Sequence, residues 1–191
     1  MDLERRCSEI EVRLDDSGAG PAISGYAAVF NTRSEDLGGF VEEVKPGAFR
    51  KSLRRGDDVR ALVEHQGGLL TLARRSSGTL RLREDSKGLK TDFTAPDTSA
   101  GRDLVELIRR GDLSQMSFGF KVVSDEWRTE NKVEVRTLLE VDLVDVSIVS
   151  FPAYPETSVA VRALQGRNRA RDLRLRALRL RMEAVRLKYA R

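Results

Sequence analysis

The chain has 191 residues, a net charge of +4 at pH 7, one cysteine (Cys7) and one histidine (His65). A single cysteine excludes an internal disulfide, and together the two residues offer no ligand cluster for a metal, so we predict neither a metal nor a cofactor. We expect no membrane association, because no apolar run reaches the roughly 18 residues of a spanning helix and no secretory signal is evident.

The positive charge is concentrated at one end of the chain. Residues 161–191 contain ten arginines and one lysine against Asp172 and Glu183, a net charge of +9, which leaves −5 for residues 1–160. We therefore predict a main domain over 1–163 and a basic amphipathic helical tail over 164–191. Two apolar stripes on this tail favour two partners or self-association, although packing of one side on its own domain is open. Nucleic-acid binding by the whole protein is not favoured.

Short β-strands separated by turns dominate the first 160 residues. Helices are expected only from Pro46 to Arg55, ahead of Gly56, and from Asp103 to Arg110, ahead of Gly111. This pattern favours a mainly β fold of the mixed α+β class, either a barrel or a sandwich. The strands are predicted by alternation and turn signals at residues 10–14, 23–30, 59–64, 80–82, 89–93, 116–123, 133–139, 141–149 and 158–161.

His65 follows the predicted strand 59–64. Any reaction that needs an imidazole general base must use it, because the chain has no other histidine. A lone histidine is more often structural, so this residue alone does not establish catalysis.

Ser117 is a candidate nucleophile on the predicted strand 116–123. Alternation places Met116, Phe118 and Phe120 on one face, with Ser117 and Gly119 on the other. We expect Gly119 to leave open space beside the hydroxyl, which a substrate backbone could occupy. The pattern alone fits a solvent-facing serine equally well, and Ser114 and Ser147 remain alternatives.

Several landmarks in a fixed order, from about residue 10 to residue 163, resemble the prohead protease family of HK97-type tailed phages. That family is distantly similar to the herpesvirus assemblins. The landmarks are Gly25-Tyr26-Ala27-Ala28-Val29-Phe30-Asn31, Pro46-Gly47-Ala48-Phe49, the strand ending in His65, Ser77-Gly78-Thr79-Leu80, Gly101-Arg102-Asp103-Leu104, Met116-Ser117-Phe118-Gly119-Phe120, Asp145-Val146-Ser147-Ile148-Val149 and Pro152-Ala153.

The resemblance implies a serine endopeptidase on a herpesvirus-protease-like β-barrel flanked by helices, with Ser117 as nucleophile and His65 as base. It also implies the substrates: the scaffold segment of the major capsid protein or a separate scaffolding protein, and the protease itself. Cleavage would occur inside the prohead, in the host cytoplasm. Two departures stand out. Family members often have Asn-His-Asp where this chain has Glu64-His65-Gln66, and the herpesvirus enzymes orient the catalytic histidine with a second histidine, which this chain lacks.

The third catalytic residue is therefore expected to be an acid. Glu140 and Asp142 alternate with apolar residues, and the phase then shifts so that Asp145 and Ser147 alternate instead, which predicts a bulge or a strand buried on both faces. An acid in so apolar a run needs a partner such as an imidazolium. We favour Asp145, which lies in the family-like segment, with Glu140 second and Asp142 third; each also fits a solvent-facing strand acid.

Two points remain open at this level. An oxyanion hole is required, and the loop 150–154 is the place where we expect its backbone donors. The alternative function is that of a non-catalytic capsid-assembly or nucleic-acid-binding protein that acts through its basic C-terminal helix.

Overall fold

A computed structural model describes residues 2–8, 12–16, 18, 20–150, 174, 176 and 177. Over the described residues up to 150 the protein is mainly β, with ten strands and two helices. The elements are β1 (Glu4–Ser8), β2 (Arg13–Asp15), β3 (Ala22–Val29), β4 (Phe40–Val44), α1 (Arg50–Arg55), β5 (Arg60–Val63), β6 (Gln66–Arg74), β7 (Leu80–Glu84), β8 (Gly88–Thr94), α2 (Ser99–Arg110), β9 (Gln115–Glu130) and β10 (Val133–Val149).

The strands form two sheets. The larger sheet has the order β1-β9-β10-β5-β6, and β4 also pairs with β10; the smaller sheet has the order β2-β3-β8-β7. β4 and β5 both run parallel to β10 and pair with successive parts of it. The mainly β, mixed class predicted from the sequence is confirmed. The predicted barrel is not, because the pairings among the described strands do not close into a ring.

A long antiparallel hairpin, β9–β10, organises the larger sheet. Its turn is formed by Asn131 and Lys132, which have φ of 49° and 68°, as a two-residue hairpin turn requires. The sequence-based boundaries were wrong here: β9 continues past Val123 to Glu130, and β10 is one strand rather than two. The end of β9 is polar and escapes a hydrophobicity pattern, yet main-chain pairing with β10 still orders it.

The phase shift predicted near Asp145 is confirmed. The β9–β10 register is irregular between Leu143 and Asp145 and skips Val144, whose exposed fraction is 37%. Leu143 and Val146 are both buried. One extra residue therefore returns the following side chains to the face on which the pairing with β9 needs them.

Both helices end where the sequence indicates. Gly56 and Gly111 are in the left-handed conformation after α1 and α2, each behind two basic residues. The predicted start of α2 was four residues late. The Thr98 side chain accepts a hydrogen bond from Gly101 N at 3.1 Å and caps the helix, a signal that precedes its apolar periodicity.

The core lies between the two sheets, and aromatic rings join it to the nucleophile strand. Phe49 contacts Phe118 edge-on at 5.4 Å between ring centroids, and Phe118 stacks on Phe120 at 4.8 Å. All three are at most 2% exposed. This packing holds one face of β9 in the core and fixes which face is left for Ser117.

The remaining predictions have mixed outcomes. Strands predicted at 23–30, 59–64, 80–82 and 89–93 are confirmed as β3, β5, β7 and β8, whereas β1, β4 and β6 were not predicted. The predicted strand 158–161 lies outside the described residues, and so does the tail 164–191 apart from Arg174, Arg176 and Ala177, which are helical and exposed. In the part of the chain that the structure describes, neither helix has the length and apolarity to cross a membrane.

Candidate active site

Ser117 lies on β9, the second strand of the larger sheet, next to the edge strand β1. Ser147 of β10 lies opposite it on one side and Cys7 of β1 on the other. Because opposed residues in an antiparallel pair point to the same face, these three side chains share one side of the sheet. Ser117 is fully buried, so the predicted alternation is confirmed but the solvent-facing interpretation is wrong.

His65 is held in the two-residue turn between β5 and β6. Both Glu64 and His65 have positive φ, 48° and 58°, and the flanking Val63 and Gln66 pair with each other, as in a type I′ hairpin. Left-handed conformations cost about 1–3 kcal/mol each for residues other than glycine. The Glu64 carboxylate offsets part of this cost by accepting hydrogen bonds from the backbone N–H and the hydroxyl of Ser150, both at 2.7 Å.

From this turn the His65 imidazole extends across β10 and contacts Ser117. His65 Nε2 lies 2.6 Å from Ser117 Oγ, and His65 Nδ1 lies 2.6 Å from Asp145 Oδ1. The side chains of His65 and Asp145 are each only 7% exposed. The structure thus brings together the three residues singled out from the sequence, in the order acid, imidazole, hydroxyl.

Ser147 joins this group at its acidic end. Its hydroxyl donates a hydrogen bond to Asp145 Oδ1 at 2.9 Å and lies 3.2 Å from His65 Nδ1. As a competing nucleophile it is therefore misplaced, because it faces the wrong nitrogen of the ring. Its contacts instead suit a residue that orients the carboxylate toward the imidazole.

The space beside Ser117 differs from the prediction. A Cβ at Gly119 would lie 2.2 Å from Asp145 Oδ2, so the room left by the missing side chain is filled by the carboxylate. Gly119 and Asp145 are opposed in the β9–β10 register. The expectation of an open path for substrate there was wrong: the glycine admits the acid.

The other candidates lie elsewhere. Glu140 Oε2 is 2.5 Å from Lys51 Nζ, and Asp142 Oδ1 is 2.6 Å from Arg55 Nη2, so both acids pair with cations of α1. Ser114 precedes β9, and its carbonyl accepts a hydrogen bond from Val12 N. None of the three has a described contact with His65.

One component of the site was missed entirely. β1 lies antiparallel on β9, and Ser117 Oγ donates a hydrogen bond to the carbonyl oxygen of Arg6 at 2.8 Å. A hydroxyl has one hydrogen, so Ser117 can give it to Arg6 O or to His65 Nε2 but not to both. β1 therefore covers the nucleophile and competes with the base for its proton. β1 shows no hydrophobic alternation from which it could be predicted, since four of its five residues are polar or charged.

The loop 150–154 is where the sequence analysis expects the oxyanion donors. Of the loop 150–154, the structure describes Ser150 alone, and its backbone N–H already binds Glu64. Residues 151–154 lie outside the described part of the chain.

The arrangement suits proton transfer and nucleophilic attack. An imidazole between a carboxylate and a hydroxyl can take the hydroxyl proton at one nitrogen while the acid holds the other. Among the residues that the structure describes, no three histidine, cysteine or acidic side chains are grouped as a metal site.

Comparisons with known proteins gave the following similarities. Residues 8–171 match the family described as caudovirus prohead serine protease. The prohead protease of Enterobacteria phage HK97 is 27% identical over 168 residues, which cover 86% of this chain and 71% of that protein. Among solved structures, the bacteriophage T4 capsid assembly protease has a TM-score of 0.53 at 11% identity, covering 79% of this chain and 98% of the other. This last similarity concerns the fold.

Proposed function

This chain belongs to the caudovirus prohead serine protease family, and on that premise we propose that it is a serine endopeptidase with Ser117 as nucleophile, His65 as general base and Asp145 as the acid. The observation that supports this most is the unbroken contact from Asp145 Oδ1 through the imidazole to Ser117 Oγ, with 2.6 Å at each step. The family supports a role in capsid maturation.

The reaction follows from the proton path. Ser117 Oγ attacks the carbonyl carbon of the substrate peptide while His65 Nε2 takes the hydroxyl proton. His65 then gives that proton to the leaving nitrogen as the C–N bond breaks, which leaves an ester on Ser117. Water attacks the ester, its proton passes to His65 and then to Ser117 Oγ, and the free enzyme returns. Asp145 holds the proton on Nδ1 throughout, so that Nε2 stays available as the base.

Self-cleavage is part of the proposal. β1 is an extended segment that already lies against the nucleophile, with the Arg6 carbonyl oxygen 2.8 Å from Ser117 Oγ. Many proteins also bind peptides in this way, as an extended strand added to the edge of a sheet. We therefore propose that the N-terminal segment is cleaved by the site that it covers.

The proposed substrates in trans are the scaffold segment of the major capsid protein or a separate scaffolding protein. The proposed setting is the inside of the prohead, in the host cytoplasm. Domain 1–163 would carry the chemistry. The basic tail 164–191, which has a net charge of +8, would dock on acidic scaffold helices or on other copies of the chain.

The test is Ser117→Ala in the purified full chain. We expect hydrolysis of the chain's N-terminus and of added capsid protein to fall at least about 10⁴-fold, because the base then has no nucleophile to activate. Ser114→Ala is the matched control and should cleave like the unaltered chain. Fragment sizes after incubation give the result.

Retained cleavage in Ser117→Ala would remove Ser117 from the proposal. If no variant cleaved anything, and the chain instead bound DNA with an affinity that fell steeply with salt, the alternative of a nucleic-acid-binding assembly protein would be supported.

A further inference from the structure

The alternate side chains of β1 enter a buried group of charges on the face of the sheet opposite Ser117. Arg6 meets Glu42 of β4, with Nε 2.8 Å and Nη2 3.1 Å from the two carboxylate oxygens. Glu4 meets Arg136 of β10, with its two oxygens 2.8 and 3.1 Å from Nη1 and Nη2. These four side chains are each at most 8% exposed.

Two further contacts close this group, which we call the charge square (Glu4, Arg6, Glu42, Arg136). Arg6 Nη2 lies 2.7 Å from Glu4 Oε2, and Arg136 Nη1 lies 3.1 Å from Glu42 Oε2. Aromatic rings line its edges, with the Arg6 guanidinium carbon 5.5 Å from the Phe120 centroid and that of Arg136 5.6 Å from Trp127. The charge square thus contains two cations and two anions in a site shielded from water.

Half of the charge square belongs to the body of the protein and half to β1. Burial raises the pKa of the Glu42 carboxyl, and the guanidinium groups of Arg6 and Arg136 oppose that shift. If β1 left, Glu42 would lose Arg6 and Arg136 would lose Glu4, and the two would keep only each other, at 3.1 Å, and the contact of Arg136 with Asp125 at 2.7 Å. A substrate strand that placed an acidic and a basic residue in the positions of Glu4 and Arg6 would bind better than one that did not.

The register relates this spacing to the nucleophile. Arg6 is the residue whose carbonyl oxygen contacts Ser117 Oγ, and Glu4 lies two positions before it on the same face. Arg5, between them, points to the other face and is exposed. Residues 4–7 precede residues 8–171, the part of the chain that matches the family, whereas Glu42 and Arg136 lie within it.

We infer that Glu42 and Arg136 form a recognition site at the edge of β9 for extended segments with an acidic residue two positions before a basic one, cleaved after the basic residue. The inference rests on the proposed protease function and adds its substrate preference. In this chain the bond is that between Arg6 and Cys7. Its hydrolysis consumes one water and leaves a carboxylate on Arg6 and an amine on Cys7.

The experiment uses the unaltered full chain and peptides of residues 2–12. The peptides are the parent, Arg6→Gln, Glu4→Gln and, as the matched control, Arg5→Gln. We expect cleavage after position 6, a loss in kcat/KM of about tenfold or more for Arg6→Gln, about three- to tenfold for Glu4→Gln, and less than about twofold for Arg5→Gln. In the Glu42→Gln protein, discrimination between the parent and Arg6→Gln peptides should fall below about threefold.

Self-cleavage gives the same comparison without an added peptide. Intact mass of the full chain should show loss of residues 1–6, slowed by Arg6→Gln in the chain and unaffected by Arg5→Gln. Cleavage at another bond, or equal rates for all four peptides, would overturn this inference and leave the protease proposal standing. If neither peptides nor chain were cleaved, and the chain behaved as Ser117→Ala does, both would fail.

Discussion

Gly119 of β9 faces Asp145 of β10 so closely that a Cβ on the glycine would lie 2.2 Å from Asp145 Oδ2. The carboxylate occupies that space and reaches His65 Nδ1 at 2.6 Å. The missing side chain at 119 and the orientation of the acid are therefore one structural feature, and it can be tested from either side.

From the side of the glycine, Gly119→Ala should displace the carboxylate. We expect kcat/KM to fall about 100-fold, since small misplacements of a catalytic group have effects of that size, and stability to fall by about 1–3 kcal/mol from overpacking. Cleavage rates and urea unfolding measure the two effects. Gly18→Ala, where the Cβ meets nothing closer than 4.0 Å, is the control, and equal losses in both variants would contradict this account.

From the side of the acid, Asp145→Asn should keep the shape of the site but lose the charge that holds His65 in the productive tautomer. We expect kcat to fall about 10³–10⁴-fold with little change in KM. Glu140→Gln and Asp142→Asn remove acids that pair with α1, and their kcat should stay within about twofold of that of the unaltered chain. If kcat fell strongly in either of these two variants while Asp145→Asn stayed active, the acid of the triad would have to be reassigned.

Cys7 reports whether β1 is seated on the nucleophile strand. Its thiol lies 3.1 Å from the Met116 carbonyl oxygen and 3.3 Å from Gln115 Oε1, and it is the only cysteine in the chain. In a Ser117→Ala background, which prevents cleavage, Glu4→Gln should weaken the charge square and raise the rate of thiol labelling several-fold. Asp2→Asn removes an exposed acid just outside β1 and should leave the rate unchanged. Equal rates in all three proteins would show that the charge square does not hold β1.

Low pH should destabilise the fold through protonation of Asp57. Hydrogen bonds from Arg55, and then from Ser52, hold the pKa of the Asp57 carboxyl below its ordinary value of 3.8. Because the unfolded state then binds protons more readily, this contribution to stability is complete above pH 3.8 and is lost as the pH falls through the lower pKa of the folded state.

Urea unfolding midpoints at pH 7, 4 and 3 test this dependence. Asp57→Asn should be less stable than the unaltered chain at pH 7, and the difference should shrink at pH 3. Asp97→Asn, whose parent side chain is 94% exposed, serves as the control. A difference that grew on acidification would reverse the sign of the argument.

The sequence by itself determined the mainly β class, most of the inner strands, the C-terminal ends of both helices and the choice of three candidate catalytic residues. Each of these depends on local information: alternation, a glycine after two basic residues, a single histidine, and an ordered set of family-like motifs. Even the bulge before Asp145 is visible as a change of phase, because a side chain that must face the core leaves a mark in the spacing of apolar residues.

Tertiary structure alone decided how these pieces meet. The polar segment Glu4–Ser8 becomes a strand only because β9 supplies hydrogen bonds. Its buried counter-charges come from Glu42 and Arg136, both more than 35 positions away in the chain. The role of Gly119 was also decided by tertiary structure, because the space that its missing side chain leaves is occupied by the Asp145 carboxylate and not by a substrate. Pairing across sheets and ion pairs between distant residues have no period in the chain, so no local pattern can announce them.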